Sequence, residues 1–169
     1  MSRLIDFYRG TGTDTEGRTL ADIWAYSDDE MEEVHDFIQW CFPLRETSRF
    51  NPDAPLLTDA DIAAFLADPR LRENLLRSFR EFLAFLGLHH EDGKVTKSAD
   101  FDRLSEVWRD PNHNWLRITR VLHCTRLLGL GAESRAFFDF LKDLRDGGST
   151  GITAETLRYW EGAVEGTPV

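Results

Sequence analysis

Residues 115–128 read WLRITRVLHCTRLL, and the way this stretch folds decides the architecture. Its apolar side chains recur at three and four. Trp115, Ile118, Val121, Leu122 and Leu128 share one broad face of a helix, and Leu116 and Leu127 form a second patch nearly opposite. A helix that is apolar on both sides is usually covered on both sides, so this one is expected at the centre of a helical assembly. Between the patches runs a stripe of Arg117, Arg120 and Cys124. At least one of these arginines should be partly buried, and a buried guanidinium needs a partner because leaving it unpaired costs several kcal/mol.

The flanking sequence is helical as well. Patterns of the same period cover Phe101 to Trp108, Asn114 to Leu128, Ala132 to Leu144 and Thr153 to Val164, separated by Gly129, Gly131 and a GGSTG loop. Asp68 and Pro69 are a capping residue and a first-turn proline, after which Leu71, Leu75, Phe79, Phe82 and Leu86 mark a long amphipathic helix closed by Gly87. Thr58 opens TDADIAAFLA. Thr19 and Ser27 can cap short helices, and Asp28, Asp29 and Glu30 suit a helix N-terminus. Val34, Phe37, Ile38 and Cys41 carry the period on until Pro43 stops it. RETSRFNPDAPLL, residues 45–57, contains Pro52 and Pro55 without a period and should run extended over the surface. HHEDGKVTKSAD, residues 89–100, reads as a polar connector with a short hairpin or turn at Asp92-Gly93. There is no internal repeat and no sustained alternation for a sheet. The expected fold is all-α, a single irregular bundle of about seven helices over residues 1–169.

Composition fits that expectation. At 169 residues, 41% hydrophobic and 30% charged, the chain is long enough and apolar enough to bury one core. A formal net charge of -10 and a pI near 4.9 argue against nucleic acid or anionic lipid as partner, since both demand a positive contact face. Cys41 and Cys124 both fall in apolar helical patterns and do not make a disulfide framework, which fits a reducing, cytoplasmic setting. No segment has the roughly 20 apolar residues of a membrane span, and MSRLIDFYRG lacks a secretory core.

Two groups of residues are candidates for a site. In VHDFIQWCFP, residues 34–43, His35 and Gln39 are four apart and would share a helix side, with Trp40 adding an adaptable apolar surface. They could read a peptide backbone; equally, they could satisfy loop carbonyls and fix the turn at Pro43. The second group is Arg117 and Arg120 with His113 and Asn114 one turn earlier. Two arginines a turn apart can clamp a carboxylate or phosphate, or pair with internal acids such as Asp36 or Asp28. No metal or cofactor is expected. Glu32 and His35 make a lone E-x-x-H without the second copy a di-iron bundle requires, and His89 and His90 read as an exposed loop pair. No serine has a nucleophile-elbow context, and RGTGTDTEGR, residues 9–18, lacks the P-loop lysine and reads as a flexible loop. The DDEMEE run reads as a solvated helix start.

FYRG at Phe7 to Gly10, HDFIQWCFPLRE at His35 to Glu46, NPDAPLL at Asn51 to Leu57 and NHNWLRITRVL at Asn112 to Leu122, in this order, resemble the conserved region of the opioid growth factor receptor family. The resemblance covers nearly the whole chain, with Cys41 standing where a larger aliphatic residue is usual. It implies a helical receptor-like module that binds a short peptide or protein segment. Vertebrate members bind the pentapeptide opioid growth factor and are associated with the nuclear periphery. Their basic targeting runs and C-terminal repeats have no counterpart before this sequence closes on GAVEGTPV, so the resemblance implies the fold more firmly than the pathway.

Three functions follow from these residues. The leading one is a non-enzymatic module whose groove, between the His35 and Arg117 helices, takes a peptide: His35, Gln39 and Trp40 on its backbone, and Arg117 or Arg120 on a carboxylate. The alternative is an enzyme acting on an anionic small molecule, with His35 as acid or base and Arg117 and Arg120 as the anion clamp. The third is that all of these groups are structural.

Overall fold

The computed structural model describes residues 2–166. Among the described residues are nine α-helices, a short 3-10 helix and one two-stranded hairpin, so the protein is predominantly helical. It forms two compact units, residues 1–78 and 79–169, and the division falls inside a helix.

The first unit holds α1 (Arg3–Arg9), α2 (Leu20–Trp24), α3 (Asp28–Glu33), α4 (Ile38–Cys41), α5 (Asp59–Ala67) and the start of α6 (Pro69–Phe85). Its short helices are set by their caps. The hydroxyls of Ser2, Thr19, Ser27 and Thr58 each accept a first-turn backbone N–H, and Asp22, Glu30 and Asp61 complete reciprocal capping boxes. Phe7, Tyr8, Trp40 and Phe65 are buried and packed edge-on, with Phe7–Trp40 and Tyr8–Phe65 centroids both 5.2 Å apart. The Tyr8 hydroxyl donates to the Cys41 carbonyl and lies 3.1 Å from Ser78 Oγ, which in turn accepts from Trp24 Nε1 at 2.9 Å. α1, α2, α4 and α6 are thereby tied through one buried chain of hydrogen bonds.

The run from Asp28 to Cys41 is two short helices, not one continuous helix as its period predicts. Val34 leaves the helical region at φ -84, ψ 123, and α4 keeps only four residues. Glu32 and Glu33 lie at the C-terminal end of α3, where the helix dipole disfavours negative charge, and the last turn of that helix carries no basic residue.

The second unit contains the remainder of α6, β1 (Leu88–Glu91), β2 (Lys94–Lys97), the 3-10 helix Ser105–Trp108, α7 (His113–Leu127), α8 (Gly131–Asp146) and α9 (Ala154–Glu165). Gly87, at φ +77, closes α6; a Cβ there would stand 2.8 Å from the Phe101 Cα. The hairpin forms at Asp92-Gly93, both with positive φ, as the tight turn requires. Phe101 to Leu104 is turn and Ser105–Trp108 a single 3-10 segment, in place of the predicted helix.

α7 is the hub of this unit and packs against both α8 and α9. Trp115, Ile118, Val121, Leu122 and Leu128 are all buried, as the period requires. Its second patch is only partly covered: Leu116 is 57% exposed and Leu127 is half-buried. Two leucines eleven positions apart give too narrow a stripe to bury when the broad face already takes both neighbouring helices. Polar bonds lock the contacts. Trp160 Nε1 donates to the Trp115 carbonyl at 3.3 Å, Ser134 Oγ to the Leu122 carbonyl at 2.7 Å, and Arg126 Nε to the Ala163 carbonyl at 3.1 Å.

Candidate functional site

The segment predicted to be a flexible loop holds a buried, multiply bonded carboxylate of the first unit. Asp14 is fully buried. Its Oδ1 accepts the backbone N–H groups of Glu16 and Arg18, both at 2.9 Å, and its Oδ2 accepts Arg18 Nε at 2.6 Å. Gly17, at φ +79, lets the chain turn back so that Arg18 meets Asp14. From there Arg18 Nη1 reaches Asp36 Oδ1 at 2.9 Å and the Tyr26 hydroxyl at 3.3 Å. Burial alone would lower the Arg18 pKa, but hydrogen bonds to Asp14, Asp36 and Tyr26 raise it above its ordinary value, so the guanidinium stays charged. Two acids therefore pair one arginine, and the 10–19 loop is fixed to residue 36. The only signal in sequence is the Asp14, Arg18 spacing, which outside a helix has no standard reading.

Asp36 opens the face that carries the first group of candidates. Asn51 Nδ2 is 3.4 Å from both the Asp36 carbonyl and Gln39 Oε1, and Gln39 Nε2 is 3.5 Å from Ser48 Oγ. Gln39 is buried, yet among the described residues its amide is held only by these long contacts to the 48–51 segment. His35 is exposed and lies in the break between α3 and α4, so it does not share a helix side with Gln39. Trp40 is 1% exposed and packs in the core, with the Arg3 guanidinium 5.6 Å from its ring centroid. Its indole is a core element and not the external apolar surface expected from sequence. Phe50, 72% exposed, and Leu56, 43% exposed, supply that surface instead, on the proline-bearing segment.

The second group lies on α7, in the other unit. His113 is exposed, Asn114 and Arg117 are buried, and Arg120 is half-buried. Arg117 Nη1 donates to Asn114 Oδ1 at 3.3 Å. The burial expected for one arginine of the stripe is thus that of Arg117, beside a fully buried Cys124. The two histidines of the connector differ. His89 is exposed near Glu91, whereas His90 is 8% exposed and faces inward from β1, because alternation along a strand sends neighbours to opposite sides. Among the described residues no group of three or more His, Cys, Asp or Glu side chains is placed to hold a metal ion. No helix among them is long and apolar enough to cross a membrane. Burial raises the Cys41 thiol pKa far above its ordinary value, which makes it unreactive.

Fold and polar groups together define a predominantly α-helical protein with a buried Asp14 paired to Arg18 in its first unit and two exposed apolar side chains, Phe50 and Leu56, on the irregular 45–57 segment. The chain belongs to the family of the opioid growth factor receptor (OGFr) conserved region, whose model matches residues 7–165. It is 38% identical over 120 residues to the rat opioid growth factor receptor, covering 68% of this chain and 20% of that protein. The human opioid growth factor receptor is 34% identical over 110 residues, 63% of this chain and 16% of its own length. Mouse opioid growth factor receptor-like protein 1 is 32% identical over 108 residues, 63% of this chain and 23% of its own length. The chain therefore spans about a fifth of the length of the curated relatives it matches. No solved structure matches it.

Proposed function

We propose that this chain is a receptor-like binding domain that takes a short peptide or protein segment on the face formed by Gln39 and residues 48–56. Relatives named opioid growth factor receptors support the receptor-like reading. The observation that carries the location is the buried Gln39 amide with only long side-chain contacts, flanked by the exposed Phe50 ring. Such an amide exchanges weak internal contacts for the backbone N–H and C=O of an extended ligand at little cost, while Phe50 and Leu56 contribute apolar contact. His35, exposed and next to Asp36, supplies a further polar contact. Within the second unit the candidate for a carboxylate narrows to Arg120, since Arg117 is buried beside Asn114.

The test is titration of the chain with fluorescently labelled opioid growth factor. Saturable binding is expected, weakened about tenfold or more, or roughly 1.4 kcal/mol, in Phe50→Ala and Gln39→Ala variants that retain the parental melting temperature. Equal affinity in both folded variants overturns the assignment of this face.

A further inference from the structure

The β1–β2 hairpin of the second unit carries a group that the binding reading does not use. His90 is 8% exposed on the inner side of β1, opposite Val95 of β2, with its ring edge-on to Phe79 of α6 at 5.7 Å. Its Nδ1 is 3.3 Å from Arg80 Nε, and a guanidinium can only donate. Nδ1 is therefore the unprotonated nitrogen, and the ring is the neutral tautomer with its proton on Nε2.

We infer that His90 is a proton-sensitive latch: neutral, it anchors the hairpin to α6 by accepting the Arg80 hydrogen bond, and protonated, it releases the hairpin.

A proton on Nδ1 would set an N–H against the Arg80 N–H and a positive ring against a guanidinium. The charged groups around the ring divide unequally. Arg80 of α6 and His89 of β1 oppose the imidazolium; Glu133 of α8 favours it; β2 presents the uncharged Val95. Burial opposes the charge most strongly, then Arg80, and together they outweigh Glu133, holding the His90 pKa below its ordinary value. With the folded pKa depressed, the unfolded hairpin binds more protons than the folded one as pH drops below about 6.5, so stability is full above that value and is lost as pH falls towards the folded pKa. α8 packs against β2, so opening the hairpin also uncovers part of α8. The hairpin has only four residues in each strand, and besides His90 only Leu88 and Val95 of those strands are buried, so one inward-facing polar group is a large part of its inner surface.

The test is amide hydrogen exchange at about pH 7.5 and about pH 5, corrected for intrinsic rates, with α9 amides as the reference within the same unit. Protection of residues 88–97 should fall about fivefold or more at the lower pH relative to α9, with no such fall in His90→Phe, which keeps a ring but has no titrating nitrogen. Arg80→Met should shrink the fall by removing the opposing donor and charge. The inference is overturned if His90→Phe shows the same loss of protection as the parent. Should that variant not fold, the NMR titration of His90 in the parent chain decides: an imidazole titrating at or above about 6.5, or carrying its neutral-state proton on Nδ1, also overturns it.

Discussion

The stretch from Asp28 to Pro43 and the stretch from His113 to Leu127 both space apolar residues at three and four, and both insert histidine and amide side chains among them. The second is one continuous helix; the first is two short helices around an extended break. Their ends differ. α7 has Asn112 as its N-cap, Arg126 in its last turn and no acidic residue anywhere along it. α3 is well capped by Ser27 but ends on Glu32 and Glu33. Each such charge at a helix end is worth only about 0.3–1 kcal/mol. Over four turns packed against two neighbouring helices that margin would be lost beside the burial of a whole helix face; over six residues it is comparable to the net stability of the helix. What then holds the break is long-range: Arg18 on the Asp36 carboxylate and Asn51 near the Asp36 carbonyl. Short elements are decided by polar partners distant in sequence, and long ones by their own period.

The sharpest way to break this contrast is Arg18→Ala. It strands the fully buried Asp14 carboxylate with backbone donors only and frees Asp36, for an expected loss of about 3–5 kcal/mol in urea unfolding. Amide exchange should rise first in residues 34–43 and leave α7 protected; equal loosening in both stretches would show that the break is not held by this network. A smaller effect is expected from Asn112→Ala. It removes the cap of α7 together with the Nδ2 bonds to the Val107 and Asp110 carbonyls, at 2.9 and 2.8 Å. The loss should be about 1–2 kcal/mol, confined to the start of the helix, because the period carries the remainder. The smallest is Glu33→Lys, which should stabilise α3 by about 0.3–1 kcal/mol at low salt and less as salt rises. A decrease in the unfolding midpoint would reject the dipole account of where α3 stops.

The helical class, the Pro69 start and Gly87 end of α6, the Asp92-Gly93 turn and the buried face of α7 are all legible in the residues, and each rests on local chemistry: a fixed or positive φ, a cap, or a period. The candidate site is legible only in part. Gln39 stands out in its helical pattern, and bonding to loop groups is one of its two sequence readings, but nothing in the pattern points to Ser48 and Asn51 as its partners. Trp40 reads as a surface residue because a helical wheel cannot tell which residues a non-helical neighbour covers, and His90 reads as exposed because four residues are too few for strand alternation to be recognised.

The sequence by itself determined the long helices α6, α7, α8 and α9, where the strong breakers fall and which family the blocks resemble, because those properties depend on residues a few positions apart. Tertiary structure alone decided that Asp14 meets Arg18 and Asp36, that Arg117 is buried while Leu116 is not, and that His90 faces inward. Each of those outcomes depends on the desolvation of a polar or apolar group by residues tens of positions away, and a one-dimensional pattern contains no measure of that.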